Sequence, residues 1–164
     1  MTTSEVGQLI DRLAISDVIA RYCDRLDAPD IDAVAALFTA DARTDYGPGR
    51  GGDAVGRDAI RERIARGQSA FRRTHHQVGH STIHHIADDR ATGVSAALTW
   101  HERFSGEREL LALRYIDEFA RVQNQWMISY RRVAPGQELD LGRLFGHECG
   151  LALRDDKNAH DQLE

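Results

Sequence analysis

The sequence contains little cysteine and proline, no long apolar run and no excess of basic residues. Its 164 residues include two cysteines, Cys23 and Cys149, which are too few for a disulfide scaffold or a four-thiolate zinc site. No apolar run reaches the roughly 18 residues of a membrane-spanning helix. The net charge of -5 at pH 7 argues against a nucleic-acid partner, which would favour a basic face. Because the first residues lack the pattern of a secretory signal, we expect a reduced cytoplasmic protein that binds neither nucleic acid nor a membrane.

Length and composition indicate one globular domain. The chain is 41% hydrophobic and 29% charged, which is too apolar for a disordered chain. We expect a single domain over residues 1–164, with its core at about 5–134. In this interpretation residues 135–153 close a cavity and residues 155–164 form a frayed tail.

The first third of the sequence predicts helices. A capping-box spacing between Thr2 and Glu5 begins a long helix, which Pro29 ends. Spacings of three and four residues predict one buried apolar stripe on it: Val6, Leu9, Ile10, Leu13, Ile15, Ile19, Tyr22 and Leu26. Beside it runs a stripe of smaller and polar residues that leaves room for a ligand: Ser16, Ala20, Cys23 and Asp27. A second helix is predicted over 30–38, an extended piece over 42–46, a glycine-rich loop over 47–52 and a third helix over 57–71.

The pattern changes to strands after residue 74. Four strands are predicted at 74–87, 91–104, 109–122 and 126–133, and Pro135-Gly136 is predicted to end the sheet. Short turns between them indicate an antiparallel meander. Helices followed by such a sheet predict an α+β fold, with the curved sheet packed on the helices and a ligand cavity at its open end.

Histidine is the most unusual feature of the composition. Five of the eight histidines lie between residues 75 and 85: His75, His76, His80, His84 and His85. Alternation along a strand places His76, His80 and His84 on one face unless a bulge intervenes. Three imidazoles would suffice for a catalytic zinc site, which is the alternative interpretation. We expect no metal, because the His76–His80 spacing suits a helix and this segment is predicted as a strand.

Several motifs occur in the order of a known superfamily. They span residues 21–27 (RYCDRLD), 37–42 (LFTADA), 56–60 (GRDAI) and 74–78 (THHQV), with Trp126 before Arg131-Arg132. Over residues 9–133 the chain resembles the SnoaL-like and scytalone dehydratase-like branch of the nuclear transport factor two-like superfamily. The resemblance implies a cone-like α+β barrel.

The resemblance also implies a set of site residues. Scytalone dehydratase and hexachlorocyclohexane dehydrochlorinase are lyases without a metal or organic cofactor, and their aspartate–histidine pair matches Asp27 and His76. Resemblance to the dehydratase further implies catalytic roles for Tyr46 and His101.

Departures from the dehydratase leave the substrate open. Leu26 replaces a tyrosine, for which Tyr22 is the alternative hydroxyl one turn earlier. Leu113 and Tyr115 occupy the positions of a serine and an asparagine. Arg131 falls near an arginine of the dehydrochlorinase, and with Arg114 it could meet an anionic or phenolic group.

These residues predict general acid–base chemistry. A neutral imidazole at His76, oriented by Asp27, suits proton abstraction near neutral pH. His101 would assist the departure of a small fragment, and Tyr46 would stabilise an oxyanion. We therefore expect a cofactor-independent lyase, forming a homodimer or homotrimer, that acts on a hydroxylated aromatic or polycyclic molecule. Water, halide or an aldehyde remains open as the leaving group. The alternatives are an isomerase or cyclase using the same pair, or a non-catalytic binding module or oxygenase accessory subunit.

Overall fold

The computed structural model describes residues 3–47, 52–87 and 89–139. The helices are α1 (Thr3–Asp27), α2 (Ile31–Ala35) and α3 (Arg57–Gln68). The strands are β1 (Phe38–Asp45), β2 (Asp53–Val55), β3 (Phe71–Ala87), β4 (Arg90–Arg103), β5 (Arg108–Val122) and β6 (Gln125–Leu139). Most of the predicted closing segment, from residue 140 onward, and the predicted tail lie outside the described residues.

The strands form one sheet in the order β2-β1-β6-β5-β4-β3. Strands β3 to β6 are successive antiparallel neighbours, which confirms the predicted meander. β1 pairs with β6 in parallel and with β2 antiparallel, so the first long strand lies beside the last. The helices pack on this curved, unclosed sheet, and the predicted α+β fold is confirmed.

Helix α1 is buried along its second half only. Ile15, Val18, Ile19, Tyr22 and Leu26 are among its core residues, at the spacing expected for one helical face. The prediction of a continuous buried stripe is wrong for the first half, where four apolar side chains are 40–64% exposed: Val6, Leu9, Ile10 and Leu13. Asp11 is half-buried in this part of the helix and bonds Arg121 and Trp126. Ser16 and Ala20 are also exposed, so the predicted small-residue stripe does not line a cavity.

Three predicted element boundaries are wrong. Phe38 begins β1 rather than ending α2, and Phe71 begins β3 rather than ending α3. β6 continues through Pro135 to Leu139 instead of ending at residue 133. Pro135 is placed opposite Leu113, where the register of β5 and β6 shifts. A bulge at this point accommodates a residue that has no backbone N–H to donate.

No helix in the described part of the chain combines the length and the apolar character needed to cross a membrane.

Candidate active site

Asp27 and His76 form a close pair where the end of α1 meets β3. The Nδ1 atom of His76 lies 2.6 Å from Oδ1 of Asp27, and the backbone N–H of His76 donates to Oδ2 at 2.8 Å. The hydroxyl of Thr74 donates to Oδ1 at 2.9 Å. The carboxylate is therefore held from three directions. The side chain of His76 is only 6% exposed, against 22% for that of Asp27.

The negative charge of Asp27 determines which ring nitrogen of His76 carries the hydrogen. Burial on its own would raise the pKa of Asp27, but hydrogen bonds from the ring and backbone of His76 and from Thr74 outweigh it and lower the pKa. An ionised carboxylate can only accept hydrogen bonds, so Nδ1 of His76 carries the hydrogen. The Nε2 atom is then left with a lone pair, which is the arrangement of a general base.

His101 and Glu109 form a second pair of the same kind. They are register partners on β4 and β5, and Nδ1 of His101 lies 2.7 Å from Oε1 of Glu109. Burial, with a contribution from His76, lowers the pKa of His101 although Glu109 opposes the shift. Among the described residues, the buried Nε2 atom of His101 has no hydrogen-bond partner. The His101 ring stacks on Phe71, and its centroid lies 5.3 Å from that of His76.

Three tyrosines surround the two imidazoles. The rings of Tyr22 and Tyr115 meet edge to face, with centroids 5.7 Å apart. Burial raises the pKa of both phenols well above the ordinary value, and the neighbouring Tyr46 adds to the shift at Tyr22. The hydroxyls of Tyr22 and Tyr115 therefore stay protonated. Tyr46 follows β1 and is half-buried.

Arg131 lies behind the tyrosines rather than on the cavity surface. Its guanidinium is fully buried and makes two hydrogen bonds to Asp117, at 2.8 and 2.7 Å. The Cζ atom lies 4.1 Å from the ring centroid of Tyr22 and 4.3 Å from that of Tyr115. Arg114 is exposed and does not line the cavity either. Neither arginine therefore lies on the cavity surface, although Arg131 contacts the predicted site residues Tyr22 and Tyr115 from behind.

The remaining predicted residues line one cavity of about 500 Å³ or contact a residue that does. Tyr22, Tyr46, His76, His101 and Tyr115 all line it, and Asp27 contacts His76 directly. Its apolar wall consists of Leu26, Ile64, Phe71, Leu111, Leu113 and Val133. Two other depressions, of about 710 and 940 Å³, are larger but contain neither histidine pair. The smaller cavity is the candidate site, because it combines apolar walls with convergent polar groups.

Sequence reasoning missed Thr74 and Glu109. Thr74 precedes His76 by two residues on the same strand, so alternation alone could have placed both on one face. The position of Glu109 depends on the register between β4 and β5, which no local pattern indicates.

Three other histidines of the cluster do not line the cavity. His75, His80 and His84 are exposed, although Nδ1 of His75 comes within 3.5 Å of Asp27. A register shift between Val78 and Ser81 turns His80 outward, so the simple alternation from His76 to His80 does not hold. Within residues 3–47, 52–87 and 89–139, no three His, Cys, Asp or Glu side chains are grouped as metal ligands would be.

Comparison with known proteins identifies the family. Residues 7–132 match the SnoaL-like domain. No curated protein matches the chain. Among solved structures, a provisionally assigned scytalone dehydratase from Novosphingobium aromaticivorans is 26% identical, with a TM-score of 0.75 over 81% of this chain and 89% of that chain.

Two further structures show the range of proteins on this fold. A provisionally assigned aromatic ring hydroxylase from Novosphingobium aromaticivorans is 26% identical, with a TM-score of 0.73 over 79% of this chain and 91% of that chain. A hexachlorocyclohexane dehydrochlorinase from Novosphingobium barchaimii is 16% identical, with a TM-score of 0.75 over 82% of this chain and 92% of that chain. At that identity, the last of these shows the fold alone. The chain belongs to the SnoaL-like family and has the cone-like α+β fold of the nuclear transport factor two-like superfamily.

Proposed function

We propose that this protein is a cofactor-independent lyase that eliminates water from a hydroxylated aromatic or polycyclic molecule. One observation carries the proposal. The buried imidazole of His76 lines an apolar cavity, and its Nδ1 atom lies 2.6 Å from the carboxylate of Asp27. A protein that only binds a ligand has no need for this arrangement. Similarity to a provisionally assigned scytalone dehydratase supports the same reaction class.

The reaction begins at Nε2 of His76. This atom takes a proton from a carbon next to a carbonyl group, and the electrons of the C–H bond move towards the carbonyl oxygen. Asp27 stabilises the imidazolium that forms. The hydroxyls of Tyr46 and Tyr22 are the donors available to the developing oxyanion.

Elimination is completed when the C–O bond to the substrate hydroxyl breaks. A double bond forms between the two carbons, and the hydroxyl leaves as water with the proton held by His76. His101 takes a different role in this scheme from its predicted one. Its neutral Nε2 atom is an acceptor, so it holds the substrate hydroxyl in place instead of donating a proton.

A second candidate function is that of an accessory subunit of a ring-hydroxylating oxygenase. Similarity to a provisionally assigned aromatic ring hydroxylase favours it. Such a subunit would use the cavity for packing or binding, without proton transfer at His76.

Elimination from cyclic β-hydroxy ketones fused to an aromatic ring tests the proposal. We expect turnover by the wild type and a loss of about 100-fold or more in His76→Ala, since that variant has no base. Asp27→Asn should lose a similar factor, because an amide N–H facing Nδ1 forces the wrong tautomer on the ring. Product formation is followed by mass spectrometry, which detects the loss of water.

His80→Ala is the matched control, because His80 is an exposed histidine on the same strand. It should retain wild-type turnover. Equal rates in the wild type, His76→Ala and Asp27→Asn would disprove the lyase proposal. Binding of the ketones without turnover in any of the proteins would favour the accessory subunit.

A further inference from the structure

We propose that the substrate carries a carboxylate and that Arg63, in the lining of the cavity, binds it. This inference rests on the cavity assigned above as the active site, and it narrows the substrate class to aromatic carboxylates. The supporting observations are the charge of the cavity lining, the unpartnered guanidinium of Arg63 and the glycine beside it.

The lining of the cavity is basic although the protein is acidic. The chain has a net charge of -5, yet the lining includes Arg63, Arg66 and Arg103. Within the described residues, Glu109 is the one acidic side chain of the lining. It bonds His101 and also lies 3.4 Å from Arg103, which pairs with Glu107 as well. The cationic charge of Arg63 and Arg66 is therefore left without a carboxylate inside the cavity.

Arg63 is partly buried without a polar partner. Its Nε atom is inaccessible to solvent and has no hydrogen-bond partner among the described residues. Its Cζ atom lies 4.2 Å from the ring centroid of Tyr46, so the guanidinium stacks on the aromatic face. Removing a charged donor from water without a partner is unfavourable. A carboxylate that accepted two hydrogen bonds from the terminal nitrogens of this group would pair its charge and offset part of the penalty.

Helix α3 also leaves space for this guanidinium. Arg63, Arg66 and Gly67 lie on one helical face, at spacings of three and four residues. A Cβ atom at Gly67 would come within 3.1 Å of Nη1 of Arg63. Glycine inside a helix costs about 0.5–1 kcal/mol relative to alanine. Its presence here lets the guanidinium keep its observed position, which an alanine at this position would displace by a few tenths of an ångström.

Arg63 and His76 line the same cavity, together with the apolar wall. In the proposed binding mode an aromatic ring packs on apolar lining residues such as Leu111, Leu113 and Val133, with its carboxylate at Arg63 and its reactive carbon at His76. A neutral aromatic compound would leave Arg63 unpartnered. The structure therefore favours an aromatic carboxylate over the corresponding neutral phenol.

Calorimetric titration with two matched ligands tests this inference. The probes are 6-hydroxy-2-naphthoate and 2-naphthol, which differ by the carboxylate. We expect the wild type to bind the naphthoate about tenfold or more tightly than the naphthol, a typical effect of a charged hydrogen-bonded pair. High salt should reduce this preference. Arg63→Gln should abolish the preference for the naphthoate.

Arg61→Gln is the matched control, since Arg61 belongs to the same helix but bonds Asp32 outside the cavity. It should keep the full preference. Arg63→Lys keeps the charge but not the bidentate hydrogen-bonding geometry, and it should keep part of the preference for the naphthoate. This second variant covers the case in which Arg63→Gln folds poorly. Equal affinities of the wild type for both ligands, or an undiminished preference in a folded Arg63 variant, would overturn the inference.

This test is independent of turnover. If no ketone is eliminated but the preference for the naphthoate depends on Arg63, the lyase proposal fails and the carboxylate site remains. If neutral ketones are eliminated by a His76-dependent reaction and no preference is found, only the carboxylate site fails. His76→Ala should retain the binding preference, because it removes the base and not the anion site.

Discussion

At the scale of single residues, the candidate site is built from two histidines that share one arrangement. His76 and His101 each place Nδ1 against a carboxylate, Asp27 or Glu109, and both residues line the cavity. A carboxylate on one ring nitrogen fixes the tautomer and the ring orientation. The two imidazoles therefore face a ligand as acceptors before any proton is transferred. This makes Glu109 a positioning residue for His101.

Glu109→Gln tests that role. The amide can face Nδ1 of His101 with its N–H, which would move the imidazole hydrogen to Nε2 and turn an acceptor into a donor. Loss of the negative charge should also lower the pKa of His101 further, because Glu109 is the main group that raises it. We expect turnover to fall by about tenfold or more. NMR of the imidazole nitrogens reports the tautomer and the pKa directly.

Glu118→Gln provides the comparison, because Glu118 is an exposed glutamate on the same strand. It should leave both the His101 signals and turnover unchanged. An unaltered tautomer and pKa in Glu109→Gln would show that Glu109 does not position His101.

The lowered pKa values at the site also predict how stability depends on pH. A neutral His101 stabilises the fold above the unfolded-state pKa of about 6.5, and this contribution is lost as the pH falls through the lower folded pKa. Asp27 contributes in the same direction at lower pH. The stabilisation by Asp27 is present above the unfolded-state pKa of about 3.9 and is lost as the pH falls through the lowered pKa of Asp27 in the folded protein.

Urea unfolding between pH 7.5 and 4.5 measures the first of these effects. The free energy of unfolding should decrease over this range in the wild type, and His101→Asn should show a smaller decrease. His80→Ala should follow the wild type. A decrease of equal size in His101→Asn would assign the pH dependence to other groups.

Residue identity made part of the site predictable from sequence. Asp27 ends a helix whose periodicity is clear, and His76 lies in a strand-forming segment within a recognisable motif, so both could be named. Glu109 and Arg63 could not, because an acid after a hairpin and an arginine on a charged helix have many equivalents in this chain. Their significance comes from the register of β4 and β5 and from the face that α3 presents to the cavity.

At the scale of elements, β5 and β6 are joined by a buried ion pair. Asp117 and Arg131 are register partners, both almost inaccessible to solvent. Arg131 additionally supports the rings of Tyr22 and Tyr115 on the cavity side. The pair therefore couples the packing of two strands to the placement of two site tyrosines.

Removing one partner of this pair should lower the free energy of unfolding much more than replacing both partners with apolar residues. Asp117→Ala leaves the Arg131 guanidinium buried without a counter-charge, and we expect it to lower the free energy of unfolding by about 3–5 kcal/mol. The double variant Asp117→Leu/Arg131→Met should be less destabilised than Asp117→Ala alone. Urea unfolding of the two proteins makes the comparison. A double variant at least as destabilised as Asp117→Ala would argue against this account.

Element type was predictable from periodicity, whereas element ends and exposure were not. The spacing of apolar residues identified α1, but it could not show that the apolar side chains in the first half of the helix are exposed. Pro135-Gly136 is an ordinary sign of a strand end. Only the register shift opposite Leu113 explains how β6 continues past it.

At the scale of the whole molecule, the sheet order places strands that are distant in sequence side by side. The meander of β3 to β6 follows from short turns and could be predicted. The parallel pairing of β1 with β6 could not, because no local pattern specifies which edge a separate strand joins. The predicted homodimer or homotrimer remains a proposal, and light scattering after gel filtration would measure the oligomeric state.

The pairing of β1 with β6 also has a consequence during synthesis. Asp27 and His76 are encoded in the first half of the chain, but β1 finds its neighbour only when the residues around Tyr130 have been made. A nascent chain still attached to the ribosome would therefore hold both members of the dyad while one side of the cone remained unpaired. Contacts between such distant segments slow folding. Because β6 contributes Val133 to the wall of the pocket, that wall is complete only after β6 has emerged.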